Sequence, residues 1–366
     1  MNGLDDARKK INEIDKEMAR LFEERMNAAK QVALYKREHG LPIKDNSREQ
    51  VVVDKNRVYI TNPEIESYYV TYIKDVMNIS CQYQDQIMSG MKVAFCGEVG
   101  AHAHNAAKKL FPSANYISFK NFDDAYKAVE NGDLDCAVLP MENSYAGEIG
   151  AVMDLMFNGS LYINKVYDHP ITHCLVAKEG TKASDIKAVY SHPQALSQCD
   201  KYITKHSYES NACASTSHAA KMVAESSDNT IAAICSKEAA EAFGLVLVDT
   251  DIQDSNTNTT RFACFSRIPN KSDANARNCD ENFILVFSCL NEAGSLAHAL
   301  NIIGSHGYNM RCLRSRPMKN LQWNYYFYVE AEGNANTEEG QAMIKELSVI
   351  CEKLKLVGTY RAHNVN

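Results

Sequence analysis

Two cations in the middle of an apolar helix face carry the first chemical signal in this chain. Advancing the first helical stretch by about 100° per residue puts Ile11, Ile14, Met18, Leu21, Ala29 and Val32 on one face, with Arg25 and Lys36 among them and Arg8 at the edge. Charged residues are rarely buried unless paired. One alone would be read as an aliphatic stem lying along the core with its head in water. Two in mid-stripe, three turns apart, point to an anion held inside a helical bundle. Arg8 and Arg25 lie roughly 26 Å apart along a helix, so one small ligand cannot touch both within one chain. If Arg8 joins the site, a second copy of the helix must run antiparallel, which predicts a helical dimer. Further on, Asp45, Ser47, Arg48 and Glu49 mix N-cap chemistry with anion ligands, and Ser80 and Gln84 sit one turn apart. Taken singly, Asp45 and Ser47 read equally as caps, and Ser80 and Gln84 as ordinary helix surface.

Three polar clusters stand at the ends of strand-like runs, where open α/β sheets bind ligands. Glu142, Asn143, Ser144 and Tyr145 follow Cys136 to Met141; Ser191, His192, Pro193 and Gln194 follow Ala188 to Tyr190 and open a helix; Asn258, Thr259, Thr260 and Arg261 precede Phe262 to Phe265. Turn residues, an N-cap and a strand residue are the plainer readings of Asn143 and Ser144, Ser191 and Thr260. His102 and His104, two apart in a glycine-containing loop, suggest a metal pair but lack an evident third ligand.

The elements that must position these residues fall into three groups. Residues 4–39 contain no Gly or Pro and read as one helix ended by Gly40, Leu41 and Pro42; helices over 47–59 and 64–88 follow, so 1–89 is an all-α unit. Beyond Gly90, strands at 91–97, 116–119, 135–139, 188–190 and 231–234 alternate with helices at 123–130 and 217–225, a parallel-sheet α/β rhythm over 91–268. The polar stretch 266–281 reads as a linker. Over 282–366 the order is strand (283–288), helix (295–306), strands (311–315 and 323–331), helix (337–354) and a last strand, a ferredoxin-like βαββαβ module.

Composition narrows the class. The net charge is -7, with no Lys/Arg cluster, which removes the electrostatic footprint of a nucleic-acid binder. Apolar runs such as Phe283 to Phe287 fall far short of the roughly 18 residues of a membrane span, and the start lacks the apolar core of a secretory signal. The 12 cysteines include no Cys-x-x-Cys pair, which argues against a zinc ribbon or redox dithiol and fits reduced thiols in a cytoplasmic protein.

At this level residues 4–88 resemble the helical chorismate mutase domain, matched by Arg8, Arg25, Lys36, Asp45, Arg48, Glu49, Ser80 and Gln84. The resemblance implies a dianionic substrate held among cations of two interlaced chains. A pericyclic rearrangement needs no nucleophile; Lys36 and Gln84 would stabilise charge growing on the ether oxygen. Residues 91–268 resemble the prephenate dehydratase domain through Thr260-Arg261-Phe262, Glu142-Asn143-Ser144 and Ser191-His192-Pro193-Gln194. That family has two α/β lobes with the active site in the cleft. The resemblance implies that Thr260 donates to the departing hydroxyl while Asn143, Gln194 and Ser191 orient substrate, with Glu142, Ser144 and Arg261 as further substrate contacts or structural residues. The glycine loop departs from the family pattern: Ala101 and Ala103 stand where hydroxyls are usual, leaving backbone amides or His102 and His104 for contact.

The C-terminal module resembles an ACT domain, carried by Gly294-Ser295-Leu296 with Ala299-Leu300 and by Arg314-Ser315-Arg316-Pro317. It implies phenylalanine as effector near Gly294, Leu296, Asn309, Ser315 and Arg316, with Arg314 reversing the charge of the family's glutamate. Together these resemblances imply a bifunctional enzyme taking chorismate to prephenate and then to phenylpyruvate. They imply a homodimer or homotetramer with no cofactor and no metal. The alternatives are a mutase fused to a non-catalytic α/β and ACT sensor, and a dehydratase preferring arogenate.

Overall fold

A 36-residue helix opens the chain because nothing between its ends interrupts it: α1 (Gly3–Glu38) has Asp5 and Asp6 in its first turn and Lys36 and Arg37 in its last, matching the helix dipole at both ends. Two helices return beside it, α2 (Asn46–Arg57) and α3 (Pro63–Ser89). Asn62 caps α3, its side chain accepting from the Glu64 amide at 3.0 Å, and Pro63 takes the first turn, where a missing N–H costs nothing. The computed structural model describes residues 3–44, 46–270, 281–319 and 323–363. Asp45 and most of the expected linker therefore lie outside the described residues. None of the described helices is long and apolar enough to cross a membrane.

The chain divides into two compact units, Met1–Lys92 and Val93–Asn366. In the first, α1 buries only Ala29 and Ala33, while Ile11, Ile14, Met18 and Leu21 of the same stripe stand exposed.

The second unit is built on two sheets. Its elements run β1 (Lys92–Cys96), α4 (His102–Leu110), β2 (Asn115–Phe119), α5 (Phe122–Glu130), β3 (Cys136–Asn143), β4 (Gly147–Glu148), α6 (Gly150–Asn158) and β5 (Tyr162–Pro170). A second lobe follows with β6 (Cys174–Ala177), β7 (Ala188–Ser191), α7 (Pro193–Gln198), α8 (Asp200–His206), β8 (Glu209–Ala212), α9 (Thr216–Glu225), β9 (Ile231–Cys235), α10 (Lys237–Ala242) and β10 (Val246–Asp249). The chain returns through β11 (Thr259–Ser266) and ends with β12 (Glu281–Cys289), α11 (Ser295–Ser305), β13 (Met310–Pro317), β14 (Tyr325–Glu332), α12 (Glu338–Ile350) and β15 (Cys351–His363).

The larger sheet has the order β13-β14-β12-β15-β5-β11-β3-β1-β2, with β4 on β3; the smaller is β10-β6-β9-β7-β8. Two expectations need correction. The sheets are mixed: β1 pairs parallel with β3, but the returning β11 runs antiparallel to both β3 and β5. The helix expected to reach Leu354 ends at Ile350, where the alternation Leu354, Leu356 of β15 takes over.

The C-terminal sheet is covered on both sides. Phe283, Leu285 and Phe287 of β12 pack under α11 and α12, while Ile284 and Val286 join the core of the first lobe with Met153, Met156 and Phe265. A strand buried on both faces reads as a continuous apolar run, which explains Phe283 to Phe287. Gly358 makes the seam between β15 and β5 possible, since a Cβ there would overlap the Ile163 carbonyl.

Candidate active sites

In the helical unit a cavity of about 280 Å³ is lined by Arg25, Lys36, Arg48, Glu49, Ser80 and Gln84 together with Val32, Ile43, Val52 and Cys81. Arg25 Nη1 donates to Ser80 Oγ and, at 3.4 Å, to the Val76 carbonyl, and Ser80 Oγ donates to that same carbonyl at 2.8 Å. Lys36 Nζ donates to the Ile43 carbonyl at 2.6 Å, so the turn after α1 aims the ammonium into the cavity. Ser80 and Gln84 are buried, and Gln84 Oε1 has no hydrogen-bond partner within the structure. The charges also register on Cys81, whose thiol burial pushes up, with Glu49 adding to the shift and Lys36, Lys44 and Arg25 opposing it. Six of the eight residues singled out for this unit thus converge. Arg8 does not: its side chain is 69% exposed, 3.9 Å from Asp5.

The second constellation lies where β3, β11 and β5 stand side by side. Thr260 is in register with Asn143 on one side and His169 on the other. Asn143 Nδ2 donates to Thr260 Oγ1 at 2.9 Å and to Asn258 Oδ1 at 2.8 Å. Its Oδ1 accepts from the amides of Tyr145 and Ala146 at 3.0 Å each, and from Gln194 Nε2 at 3.4 Å across the cleft from α7. Asn143 is therefore fixed at both ends, and the threonine hydroxyl it holds is buried with it.

The remaining residues of the three motifs bond to the surrounding backbone. Ser191 is fully buried and donates to the Ile234 carbonyl at 2.6 Å. Ser144 Oγ accepts from the Thr259 amide at 3.0 Å, pinning the turn after β3 to the start of β11. His192 caps α7, its Nδ1 accepting from the Gln194 amide at 3.2 Å. His104 Nδ1 accepts from the Gly100 amide at 3.0 Å, so it braces the glycine loop. A Cβ at Gly100 would run into the backbone of Ala239, which seats that loop against α10.

Successive strand residues face opposite sides, and this separates Glu142 and Arg261 from their neighbours. Glu142 meets Arg314 of β13, and Arg314 Nε lies 3.7 Å from Glu148. Arg261 Nε donates to Asp168 Oδ1 at 2.9 Å and its Nη1 reaches the buried Glu330 of β14 at 3.2 Å. Burial works against the Arg261 charge, and the Asp168 hydrogen bond and Glu330 charge more than offset it, so its pKa stands above the usual arginine value. The buried Tyr360 hydroxyl also donates to Glu330, at 2.9 Å.

A model of the chorismate mutase type II family matches residues 7–85, and one of the prephenate dehydratase family matches residues 93–270. Over an alignment 379 positions long, the chain is 30% identical to the bifunctional chorismate mutase/prephenate dehydratase of Enterobacter agglomerans, covering 100% of this chain and 97% of that one. The chain belongs to the bifunctional chorismate mutase/prephenate dehydratase family. It is also 33% identical over 292 residues to arogenate dehydratase/prephenate dehydratase 2 of Arabidopsis thaliana, covering 77% of this chain and 76% of that one. Among solved structures, the prephenate dehydratase of Arthrobacter aurescens in complex with L-Phe superposes with a TM-score of 0.68 at 28% identity, covering 74% of this chain and 90% of that chain.

Beyond the dehydratase lobes, β12 to β15 form the ferredoxin-like sheet order β13-β14-β12-β15. Gly294 takes a left-handed conformation (φ 88°) at the start of α11, of which Leu296 is the second residue. Asn309 donates to Glu332 at 3.0 Å. On β13, Ser315 is exposed, whereas Arg316 turns to the dehydratase lobe and pairs with Glu148 at 2.6 Å and Asp154 at 3.4 Å. His169 and Asn258 are neighbours of Thr260 that the sequence motifs leave out. Asp168-His169 before Pro170 is a polar strand end of the same kind as the three clusters, and is the signal that could have found His169. Among the described residues no group of three or more His, Cys, Asp and Glu side chains could hold a metal ion.

Proposed function

We propose that the helical cavity rearranges chorismate to prephenate and that the cleft at Thr260 converts prephenate to phenylpyruvate. The observation that carries the first step is the convergence of Arg25, Lys36, Arg48, Glu49, Ser80 and Gln84 on one cavity of about 280 Å³. Cations from α1 and α2 neutralise the two carboxylates of chorismate and fold it into its reactive conformer. Lys36 and the Gln84 side-chain amide then donate to the ether oxygen as its bond to the ring breaks. Arg8 enters from a second copy of α1. The exposed Ile11, Ile14, Met18 and Leu21 support that reading, since an apolar stripe of this length marks an interaction surface.

In the cleft, Thr260 donates to the departing hydroxyl, Asn143 fixes the Thr260 rotamer, and Gln194 reaches substrate from the opposite lobe. Glu142 and Arg261 hold the C-terminal sheet. We assign that sheet to an ACT domain, a reading supported by its βαββαβ order, with domains at 1–89, 91–268 and 282–366. The Arthrobacter relative bound to L-Phe supports phenylalanine as its effector, taken near Gly294, Leu296, Asn309 and Ser315, while Arg316 acts as a strut to Glu148.

The test supplies chorismate, prephenate and arogenate separately to the full chain and follows phenylpyruvate and phenylalanine. Arg25→Ala should remove chorismate turnover and spare prephenate turnover, and Thr260→Ala should do the reverse, each by a hundredfold or more. Full dehydration by Thr260→Ala would overturn its assignment. Turnover of arogenate in preference to prephenate would move the substrate to the aminated analogue.

A further inference from the structure

Three histidines cluster at the end of β5, one of them beside Thr260. His169 is its direct neighbour across the β11–β5 pair, so the two side chains share one face of the sheet with Cβ atoms about 5 Å apart. His169 Nε2 lies 3.3 Å from Nδ1 of His102, the first residue of α4, and the His102 ring meets the His173 ring edge-on at 6.2 Å between centroids. His173 is held in turn by Gln198, at 2.9 Å. The outer nitrogens of the pair, His102 Nε2 and His169 Nδ1, are closed off from solvent and have no partner within the structure. Unsatisfied buried polar atoms are costly, and two of them on the histidine pair that borders Thr260 mark a place prepared for something polar.

We propose that His169, backed by His102, supplies the proton that leaves with the hydroxyl of prephenate. The reasoning rests on the reading of Thr260 given above. Dehydration breaks the bond from the ring to the hydroxyl and the bond from the ring to its carboxylate. The carboxylate departs as carbon dioxide, its electron pair aromatises the ring, and the hydroxyl needs one proton to leave as water. The prephenate dianion becomes the phenylpyruvate monoanion, so the balance consumes one proton, which bulk water provides. A threonine hydroxyl can pass a proton on only if another group replaces it. His169, in register with Thr260 on the neighbouring strand, is the titratable group we assign to replace it.

Burial depresses both imidazoles, His169 to about 4 and His102 to about 3, with His169 and His173 lowering His102 further. The other charges acting on His169 are Glu238 of α10, which raises it, and Lys109 of α4, which lowers it. His169 also faces the Tyr167 and Phe262 rings. The free pair is therefore neutral at pH 7, and a dianion seated beside it favours the charged form, so the pair loads its proton as substrate binds.

The deciding experiment measures kcat for prephenate from pH 5.5 to 9.5 in the wild-type chain and in His169→Gln, His102→Gln and Thr260→Ala, with chorismate turnover of the same samples as the folding control. The wild-type rate should fall along an alkaline limb. His169→Gln should lose at least a hundredfold in kcat, in the range of general acid catalysis, with that limb abolished; His102→Gln should shift the limb, and imidazole should restore part of the rate to His169→Ala. A flat wild-type profile would overturn the proposal without any variant. A His169→Gln enzyme with the wild-type profile would overturn it while leaving Thr260 in place, provided Thr260→Ala is inactive. Full activity of Thr260→Ala would instead remove the reading on which the proposal stands.

Discussion

Reversing the charge at Arg314 tests whether the C-terminal sheet holds the dehydratase cleft in shape. In Arg314→Glu a carboxylate replaces the guanidinium that meets Glu142 and lies 3.7 Å from Glu148. Two unit charges 4 Å apart interact by about 4 kcal/mol at an effective dielectric of 20, and the change turns two attractions into repulsions. The heads are only partly shielded, with Arg314 21%, Glu142 29% and Glu148 28% exposed. Water and side-chain rotation relax much of the repulsion, leaving a net loss of about 3 kcal/mol, at the low end for breaking a buried pair. For a unit of this size that is roughly 6–12 °C in Tm. The effect should reach catalysis, because Glu142 precedes Asn143, whose Nδ2 holds Thr260 Oγ1 at 2.9 Å. A shift of about 1 Å at that contact costs on the order of a hundredfold in rate.

The assay is thermal unfolding of the full chain, with prephenate turnover as readout and chorismate turnover as control. Adding Glu142→Arg to Arg314→Glu restores one ion pair in reversed polarity and should recover part of both losses, while Glu142→Arg alone should be as damaging as Arg314→Glu. Unchanged melting and prephenate turnover in Arg314→Glu, or a double variant no better than the sum of the singles, would refute the clamp.

Other outcomes follow from the same structure. Gln84→Glu should keep chorismate turnover at acid pH and lose it as pH rises, because a carboxyl donates to an ether oxygen only while protonated; a pH-independent variant would remove Gln84 from the reaction. Gly358→Ala should lower the Tm of the second unit, since its Cβ meets the Ile163 carbonyl at the β15–β5 seam; overpacking of this kind costs about 1–3 kcal/mol. The folded state of the second unit should weaken as pH falls from about 6.5 towards 4: the unfolded chain protonates His102 and His169 near 6.5, whereas the folded chain holds them neutral down to about 3 and about 4. Stability from these groups is thus complete above pH 6.5 and lost on acidification. Urea midpoints across that range, compared with a His102→Phe, His169→Phe double variant, would read it directly.

The helical site was the most legible part of the chain because a single periodicity controls it. One rotation per residue places Arg25 and Lys36 on the apolar stripe of α1, and Ser80 and Gln84 one turn apart on α3, whatever the rest of the chain does. Only Arg8 needs more than one helix to interpret, and its distance along α1 already said so. The ferredoxin-like order was equally readable, since its strands and helices alternate with clear apolar patterns.

The sheet site was harder, and the reason is the two-residue period of a strand. Glu142-Asn143 and Thr260-Arg261 are contiguous in sequence, so each motif looks like one functional group. In the structure each is split between two faces: Asn143 and Thr260 look into the cleft, while Glu142 and Arg261 look the other way, to Arg314 and Glu330. That second face is visible only once β15 has joined β5 and brought a sheet from the far end of the chain against it. The same non-local pairing hides His169, which becomes a neighbour of Thr260 through a register between strands about ninety residues apart. Such contacts belong to the fold and to no local pattern. A motif contiguous along a strand of this kind therefore serves two ends at once, the cleft on one face and the hold of the C-terminal sheet on the other. A substitution at Glu142 or Arg261 that slows dehydration would do so by loosening that hold, and would show it by lowering Tm along with kcat, whereas loss of the Thr260 hydroxyl, whose partner Asn143 Nδ2 keeps its bond to Asn258, would lower kcat with little change in Tm.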